Sequence, residues 1–166
     1  GMWDFAQGYA HLRTGQADMA RLYLARVRKG AETPKASFRD HPADRLLGLV
    51  ADLLDGEILR ADKQLDAAIA KFEHAVELDD ALQYDEPEPL PFPARHWLGA
   101  ALIEAGRFAD AERVYRKDLE QHPRNGWSLL GLQQALAGLG RQDAEVDAAL
   151  ALSWARSDTW TRSSRF

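Results

Sequence analysis

Apolar residues recur along the chain at the three- and four-residue spacing of amphipathic helices, and strand-length runs of β-branched residues are missing. We therefore predict an all-α fold in which Gly and Pro mark the ends of helices. The predicted helices span residues 3–14, 17–29, 43–62, 65–78, 94–105, 108–121, 127–139 and 143–157. Very short connections join these helices in pairs, so the pattern predicts four antiparallel hairpins.

Two longer connections separate the hairpins. Residues 30–42 contain Thr-Pro and His-Pro, and residues 79–93 are acidic and contain Pro87, Pro89, Pro91 and Pro93. We interpret both as loops and not as domain linkers, because apolar periodicity resumes on either side. The prediction is one helical array over residues 1–166, with hairpins at about 3–29, 43–79, 94–122 and 127–157 and a C-terminal tail at 158–166.

The hairpins share an internal repeat. From a small residue in the first helix, the pattern runs seven residues to the turn, five more to Ala and four more to a large apolar residue, with an often small position three residues later. The matching residues are Gly8, Gly15, Ala20 and Leu24; then Gly56, Ala68, Phe72 and Ala75, with Lys63 at the turn; then Gly99, Gly106, Ala111, Tyr115 and Pro123, with Asp118 at the small position. Small side chains let two helices approach closely, and Gly at the turn adopts the left-handed backbone that ends a helix. Each hairpin leaves an apolar face that a neighbouring hairpin covers, which is typical of repeat arrays.

This spacing resembles the tetratricopeptide repeat (TPR) family, whose helix–turn–helix unit has about 34 residues. The best single unit runs from His96-Trp97-Leu98-Gly99 through Tyr115 to Pro123, and the next begins at Trp127. That last unit departs from the pattern, since Glu145 stands where Ala is expected, and we interpret it as a terminal cap. The resemblance implies a right-handed superhelix of about four hairpins, an α-solenoid. Residues 78–166 also resemble the C-terminal end of larger bacterial TPR proteins of unassigned activity. The motifs that carry this second resemblance are Tyr84-Asp85-Glu86-Pro87, Asn125-Gly126-Trp127-Ser128-Leu129 and the terminal Ser163-Ser164-Arg165-Phe166.

The TPR resemblance also implies a concave groove lined by the first helix of each hairpin. Carried over position by position, the groove residues are Phe5, Tyr9, Leu53, Glu57, Arg60, His96, Ala100, Ile103, Asn125, Ser128 and Leu132. This mixed apolar and polar surface suits an extended or helical peptide. The Lys and Asn residues with which some TPR domains clamp a terminal carboxylate are not found at these positions.

Composition narrows the classes of function. The 166 residues carry a formal net charge of −5 and no cysteine, which argues against general nucleic-acid binding and excludes disulfides and Cys-based metal sites. No apolar run is long enough to span a bilayer and no secretory signal is present, so we expect a cytoplasmic protein without a membrane role. Gly1-Met2 resembles a cleavage scar followed by a start, which fits either a whole protein or one piece of a longer one.

Catalytic signatures are missing from the sequence. There is no His-Glu-x-x-His pair, no Gly-rich phosphate loop and no Gly-x-Ser-x-Gly turn. We therefore predict a non-enzymatic scaffold that binds a protein or peptide of unknown identity, with no catalytic residue, cofactor or metal.

Two alternatives stay open at this point. In one, the chain is an accessory part of a larger enzyme or metal-binding protein, with His96 and the Asp85-Glu86 loop facing the site. In the other, it is a self-assembly module that forms homo-oligomers through the exposed ends of the array. The tail contains Trp160 and Phe166 together with Arg156, Arg162 and Arg165. It is either a flexible end or a segment that docks onto the last hairpin or a neighbouring chain.

Overall fold

The computed structural model describes residues 1–32, 37–159 and 161–166. These contain eight helices: α1 (Met2–Arg13), α2 (Ala17–Ala31), α3 (Ala43–Ala61), α4 (Leu65–Asp80), α5 (Arg95–Glu104), α6 (Phe108–Gln121), α7 (Gly126–Gly138) and α8 (Ala144–Ser153). Helices make up 68% of the described residues, which confirms the predicted all-α class.

Two regions differ from the sequence prediction. Helix α8 ends at Ser153 instead of continuing to residue 157, because the Ser153 hydroxyl donates to the Arg124 carbonyl (3.1 Å) and the Trp154 indole donates to that of Gly126 (3.2 Å). The loop between α2 and α3 holds a two-residue antiparallel pair, β1 (Ser37–Phe38) and β2 (His41–Pro42), where we expected no strand. Residues 33–36 of that predicted loop and Trp160 of the predicted tail lie outside the described residues.

The turns inside the hairpins share a left-handed backbone residue. Gly15 has φ 80°, Gly106 has φ 72° and Gly140 has φ 69°. Glycine adopts this conformation without the clash that a Cβ atom brings. In the second hairpin the same conformation is taken by Lys63, with φ 65°.

The helices form two compact units, of which the first is Gly1–Ala94. Within it α1 packs on α2, α2 on α3 and α3 on α4, and the two first helices α1 and α3 also contact each other. The apolar centre includes Leu49, Leu54 and Phe72, none of which is exposed to solvent. A Cβ atom at Gly56 would lie 2.4 Å from the Phe72 ring, so the glycine is what lets α4 approach α3 closely.

The second unit, Arg95–Phe166, has the same packing order. Helix α5 packs on α6, α6 on α7 and α7 on α8, and the first helices α5 and α7 contact each other. The largest fully buried side chains here are Trp97 and Tyr115. Within the described ranges, no helix combines the length and the apolar character needed to cross a membrane.

Candidate functional site

Tyr115 of α6 enters between α5 and α7 at a point where each of those helices carries a glycine. A Cβ atom at Gly99 would lie 2.3 Å from Tyr115 Cζ, and one at Gly131 would lie 2.1 Å from it. Non-bonded carbon atoms prefer a separation of about 3.5–4.0 Å, so any larger residue at either position would displace the ring. The two glycines therefore make the slot that Tyr115 fills.

The hydroxyl of Tyr115 meets the C-terminal segment, by which we mean residues 162–166. Ser164 Oγ lies 2.7 Å from the Tyr115 hydroxyl and also donates to the His96 carbonyl oxygen at 2.7 Å. Ser164 is only 2% exposed, and burial of a hydroxyl is tolerated when it is hydrogen-bonded in this way. These bonds join residues 49 and 68 positions apart in the chain.

Three further contacts hold the C-terminal segment against α5 and α7. The side-chain amide of Gln134 donates to the Arg162 carbonyl oxygen (2.9 Å), and the Phe166 ring packs edge-on against Trp97 with centroids 4.9 Å apart. Arg165 Nη2 lies 4.0 Å from Glu104 Oε2. We call the surface formed by His96, Trp97, Glu104, Tyr115 and Gln134 the tail-binding face. The last residues of the predicted tail are therefore docked, on α5 and α6 of the third hairpin and on α7 of the last hairpin.

A buried polar cluster lies one turn further along α6. Asp118 is fully buried and accepts hydrogen bonds from the Ser128 hydroxyl (2.5 Å) and from His122 Nδ1 (3.0 Å). His96 Nε2 lies 3.7 Å from Asp118 Oδ2, which is ion-pair range but too long for a hydrogen bond. Asp118 therefore joins α5, α6 and α7 through three polar neighbours.

Burial and charge shift the pKa values of both inserted α6 side chains. Burial raises the pKa of Tyr115 above its ordinary value, against the opposing effects of the Ser164 hydrogen bond and the Arg165 charge. Burial also disfavours the charged form of Asp118, but contact with His96, the Ser128 hydrogen bond and the charge of His122 outweigh it, so the pKa of Asp118 is lowered. Tyr115 is thus a neutral hydrogen-bonding group and Asp118 an anion at neutral pH.

The chemistry of this cluster favours positioning over proton transfer. Ser128 is completely buried and donates to a carboxylate, whose lowered pKa makes it a weak base. A nucleophilic serine needs an accessible oxygen and a base near neutrality. Among residues 1–32, 37–159 and 161–166, no group of three or more His, Asp or Glu side chains is arranged to hold a metal ion.

The other predicted groove residues of the second unit differ in accessibility. Ala100 is 8% exposed and Leu132 is 1% exposed, whereas Ile103 is half-buried. Asn125 caps α7, because its side-chain oxygen accepts from the backbone N–H groups of Trp127 and Ser128. The structure brings His96 and Ser128 together through Asp118; their groove role stays a prediction.

In the first unit, the predicted groove residues lie on α1 and α3. The rings of Phe5 and Tyr9 pack together with centroids 5.8 Å apart, and the Phe5 ring lies 6.3 Å from that of Phe92. Leu53 and Glu57 are almost completely buried, and Glu57 pairs with Arg60 at 3.1 Å. Phe5, Tyr9, Leu53 and Glu57 therefore offer little free surface, and the groove role of this set stays a prediction as well.

The acidic loop of the first unit is tied to the β1–β2 turn. Arg39 donates to Asp85 Oδ2 (2.6 Å) and to the Pro87 carbonyl oxygen (2.6 Å). The buried His41 lies 3.4 Å from the same Asp85 oxygen. The hydrogen bond from Arg39 is the main reason that the pKa of Asp85 is lowered. Asp85 therefore serves to connect two loops.

A separate open cleft of about 390 Å³ lies at the junction of α7 and α8. Its lining residues are Arg124, Gly126, Trp127, Leu152, Ser153 and Trp154. The indoles of Trp127 and Trp154 pack edge-on, 5.1 Å between centroids, and Trp127 is 43% exposed. The cleft is chemically suited to an apolar side chain.

Sequence reasoning missed the residues that organise the tail-binding face. Asp118 was noted only as filling a position where the repeat often has a small residue, and Trp97 and Gln134 were outside the predicted groove. Ser164 belonged to a motif that was singled out by resemblance alone. The charged residue at a small repeat position was the one usable signal.

A scan against models of known protein families gives no match for this chain, and a search of curated proteins gives no significant match.

Proposed function

We propose that this chain is a TPR-like α-solenoid that acts as a non-enzymatic scaffold and binds a peptide or protein partner along its first helices. The observation that carries the proposal is the repeated packing order. In both units the second helix of one hairpin packs on the first helix of the next, and the two first helices contact each other. In each unit, the two adjacent first helices can therefore present one continuous surface to a partner.

The glycine positions support the same proposal. Gly56 accommodates Phe72 in the first unit, as Gly99 accommodates Tyr115 in the second. In each pair the glycine and the aromatic residue have the same separation in the repeat, so the same glycine–aromatic contact occurs in both units. The side chains best suited to chemistry, His96, Asp118 and Ser128, are buried and engaged with one another, which also favours a binding role over a catalytic one.

The test is a display screen of random peptides against the full chain, followed by titration of the selected peptides. We expect saturable binding that Ile103→Glu weakens, because Ile103 is a half-buried predicted groove residue on α5. The matched control is Leu139→Glu, which places the same charge on an exposed apolar residue at the end of α7. The absence of any saturable peptide would contradict the binding function, and equal effects of the two variants would contradict the groove assignment.

A further inference from the structure

The C-terminal segment lies on the tail-binding face in the way a bound peptide would. Its contacts combine a backbone carbonyl held by Gln134, a buried serine held by Tyr115 and the His96 carbonyl, and an aromatic ring set against Trp97. Main-chain hydrogen bonding together with recognition of particular side chains is a usual way in which a peptide is bound.

The tail-binding face selects a small hydroxyl-bearing residue at its centre. The buried Ser164 oxygen meets both the Tyr115 hydroxyl and the His96 carbonyl oxygen, and it satisfies both with one O–H group. Alanine there would remove the hydrogen-bond partner of the buried Tyr115 hydroxyl, while a larger side chain would have to displace the segment. Beside it, Arg165 lies 4.0 Å from Glu104, so the face also favours a basic residue next to the serine.

The segment is only partly buried, which makes it replaceable. Only Ser164 is buried; Phe166 is 52% exposed and Arg162 is exposed. Because the segment is tethered, its effective concentration at the face is about millimolar, and a free peptide with the same contacts competes poorly until the segment leaves. The apparent affinity for such a peptide falls in proportion to the fraction of molecules in which the face is open.

We propose that the tail-binding face is a peptide-binding site and that residues 162–166 are its built-in competitor. The partner is another protein that presents a segment in which a serine is followed by a basic and then an aromatic residue. This inference rests on the proposed function and adds to it the partner's chemistry and a means of regulation: binding requires release of the C-terminal segment.

The test opens the face in the full chain with Ser164→Glu. A carboxylate there could accept from the Tyr115 hydroxyl, but it is larger than the serine hydroxyl and would repel the His96 carbonyl oxygen in a buried site, so the segment should be expelled. The matched control is Ser163→Glu, which adds the same charge at the neighbouring, half-buried serine. Hydrogen exchange should show faster exchange of amides 161–166 in Ser164→Glu than in Ser163→Glu or the unaltered chain. Equal exchange in all three would overturn the proposal.

The probe is a fluorescein-labelled peptide with the sequence of residues 161–166, titrated by anisotropy. The Ser164→Glu chain should bind it about tenfold or more tightly than the other two chains, because its face is open. Adding Tyr115→Phe should weaken that binding, and so should replacing the peptide's second serine with alanine. A released segment without tighter peptide binding would overturn the proposal.

Two more measurements separate this inference from the proposed function. Concentration-dependent dimerisation of the unaltered chain that Ser164→Glu abolishes would assign the face to a second copy and overturn the choice of partner. Library peptides that bind the unaltered and Ser164→Glu chains equally well would contradict only the inference. A library that yields no saturable peptide for either chain would contradict the proposed function itself.

Discussion

Replacing Gly131 with alanine tests the slot that admits Tyr115. The added Cβ would lie 2.1 Å from Tyr115 Cζ, whereas carbon atoms in contact prefer about 3.5 Å, so the ring would have to move by about 1.4 Å. The ring has no space to move into, because Tyr115 is fully buried and Gly99 of α5 lies close to its other side. Overpacking of this kind costs about 1–3 kcal/mol, and we expect a cost near the upper end.

The helix propensity of alanine works in the opposite direction. In a helix interior, Gly→Ala contributes about 1 kcal/mol of stability, so the net expectation for Gly131→Ala is a loss of about 2 kcal/mol. For a chain of this size that corresponds to a fall in Tm of about 4–8 °C. The matched control is Gly48→Ala in α3, where the new Cβ would make an ordinary 3.5 Å contact with Leu78 and stability should rise by about 1 kcal/mol.

Urea unfolding followed by circular dichroism and tryptophan fluorescence measures both variants. A double-mutant cycle adds Tyr115→Leu, since removal of the ring should abolish the cost of Gly131→Ala. If Gly131→Ala stabilises the chain as much as Gly48→Ala does, or if the cycle shows no coupling, the proposed close packing of Tyr115 is wrong.

Two further predictions concern Asp118 and the α7 cap. The pKa of Asp118 in the folded chain lies below its ordinary value of 3.8, so its charge stabilises the fold above that pH and this contribution is lost as the pH falls below it. Asp118→Asn should therefore show a shallower loss of stability than the unaltered chain in urea titrations between about pH 5 and pH 2. Asn125→Ala should lower the free energy of unfolding by about 1 kcal/mol, because the backbone N–H groups of Trp127 and Ser128 lose their cap. The control, Gln121→Ala on the exposed end of α6, should change it by less than about 0.5 kcal/mol in the same assay.

The helices were predictable because their signals are local. Apolar periodicity and the glycines at the turns gave the start of α2 at Ala17, of α3 at Ala43 and both ends of α6, and the other ends fell within a few residues. The end of α8 was placed too late because Trp154 contributes apolar periodicity but turns away to contact the start of α7. The β1–β2 pair was missed since two residues per strand leave no measurable alternation.

The candidate site was less predictable because its contacts are distant in sequence. Nothing near Ser164 indicates that it will meet Tyr115, which lies 49 residues earlier. The repeat pattern predicted that Tyr115 would pack against Gly99. It could not indicate that the Tyr115 hydroxyl would extend past the two glycines and contact Ser164. Asp118 shows the same limit, since an acidic residue in a repeat is ordinarily solvent-exposed and here it is completely buried.

The left-handed turn residue of the second hairpin offers a way to adjust stability without altering any surface discussed above. Lys63 holds φ 65° at a site where the other hairpins have glycine, and a side chain in that conformation costs about 1 kcal/mol. Lys63→Gly should thus raise the urea midpoint, whereas Gly106→Lys, the reverse change in the third hairpin, should lower it. The fold accordingly depends on a left-handed backbone conformation at each hairpin turn more than on which amino acid adopts it.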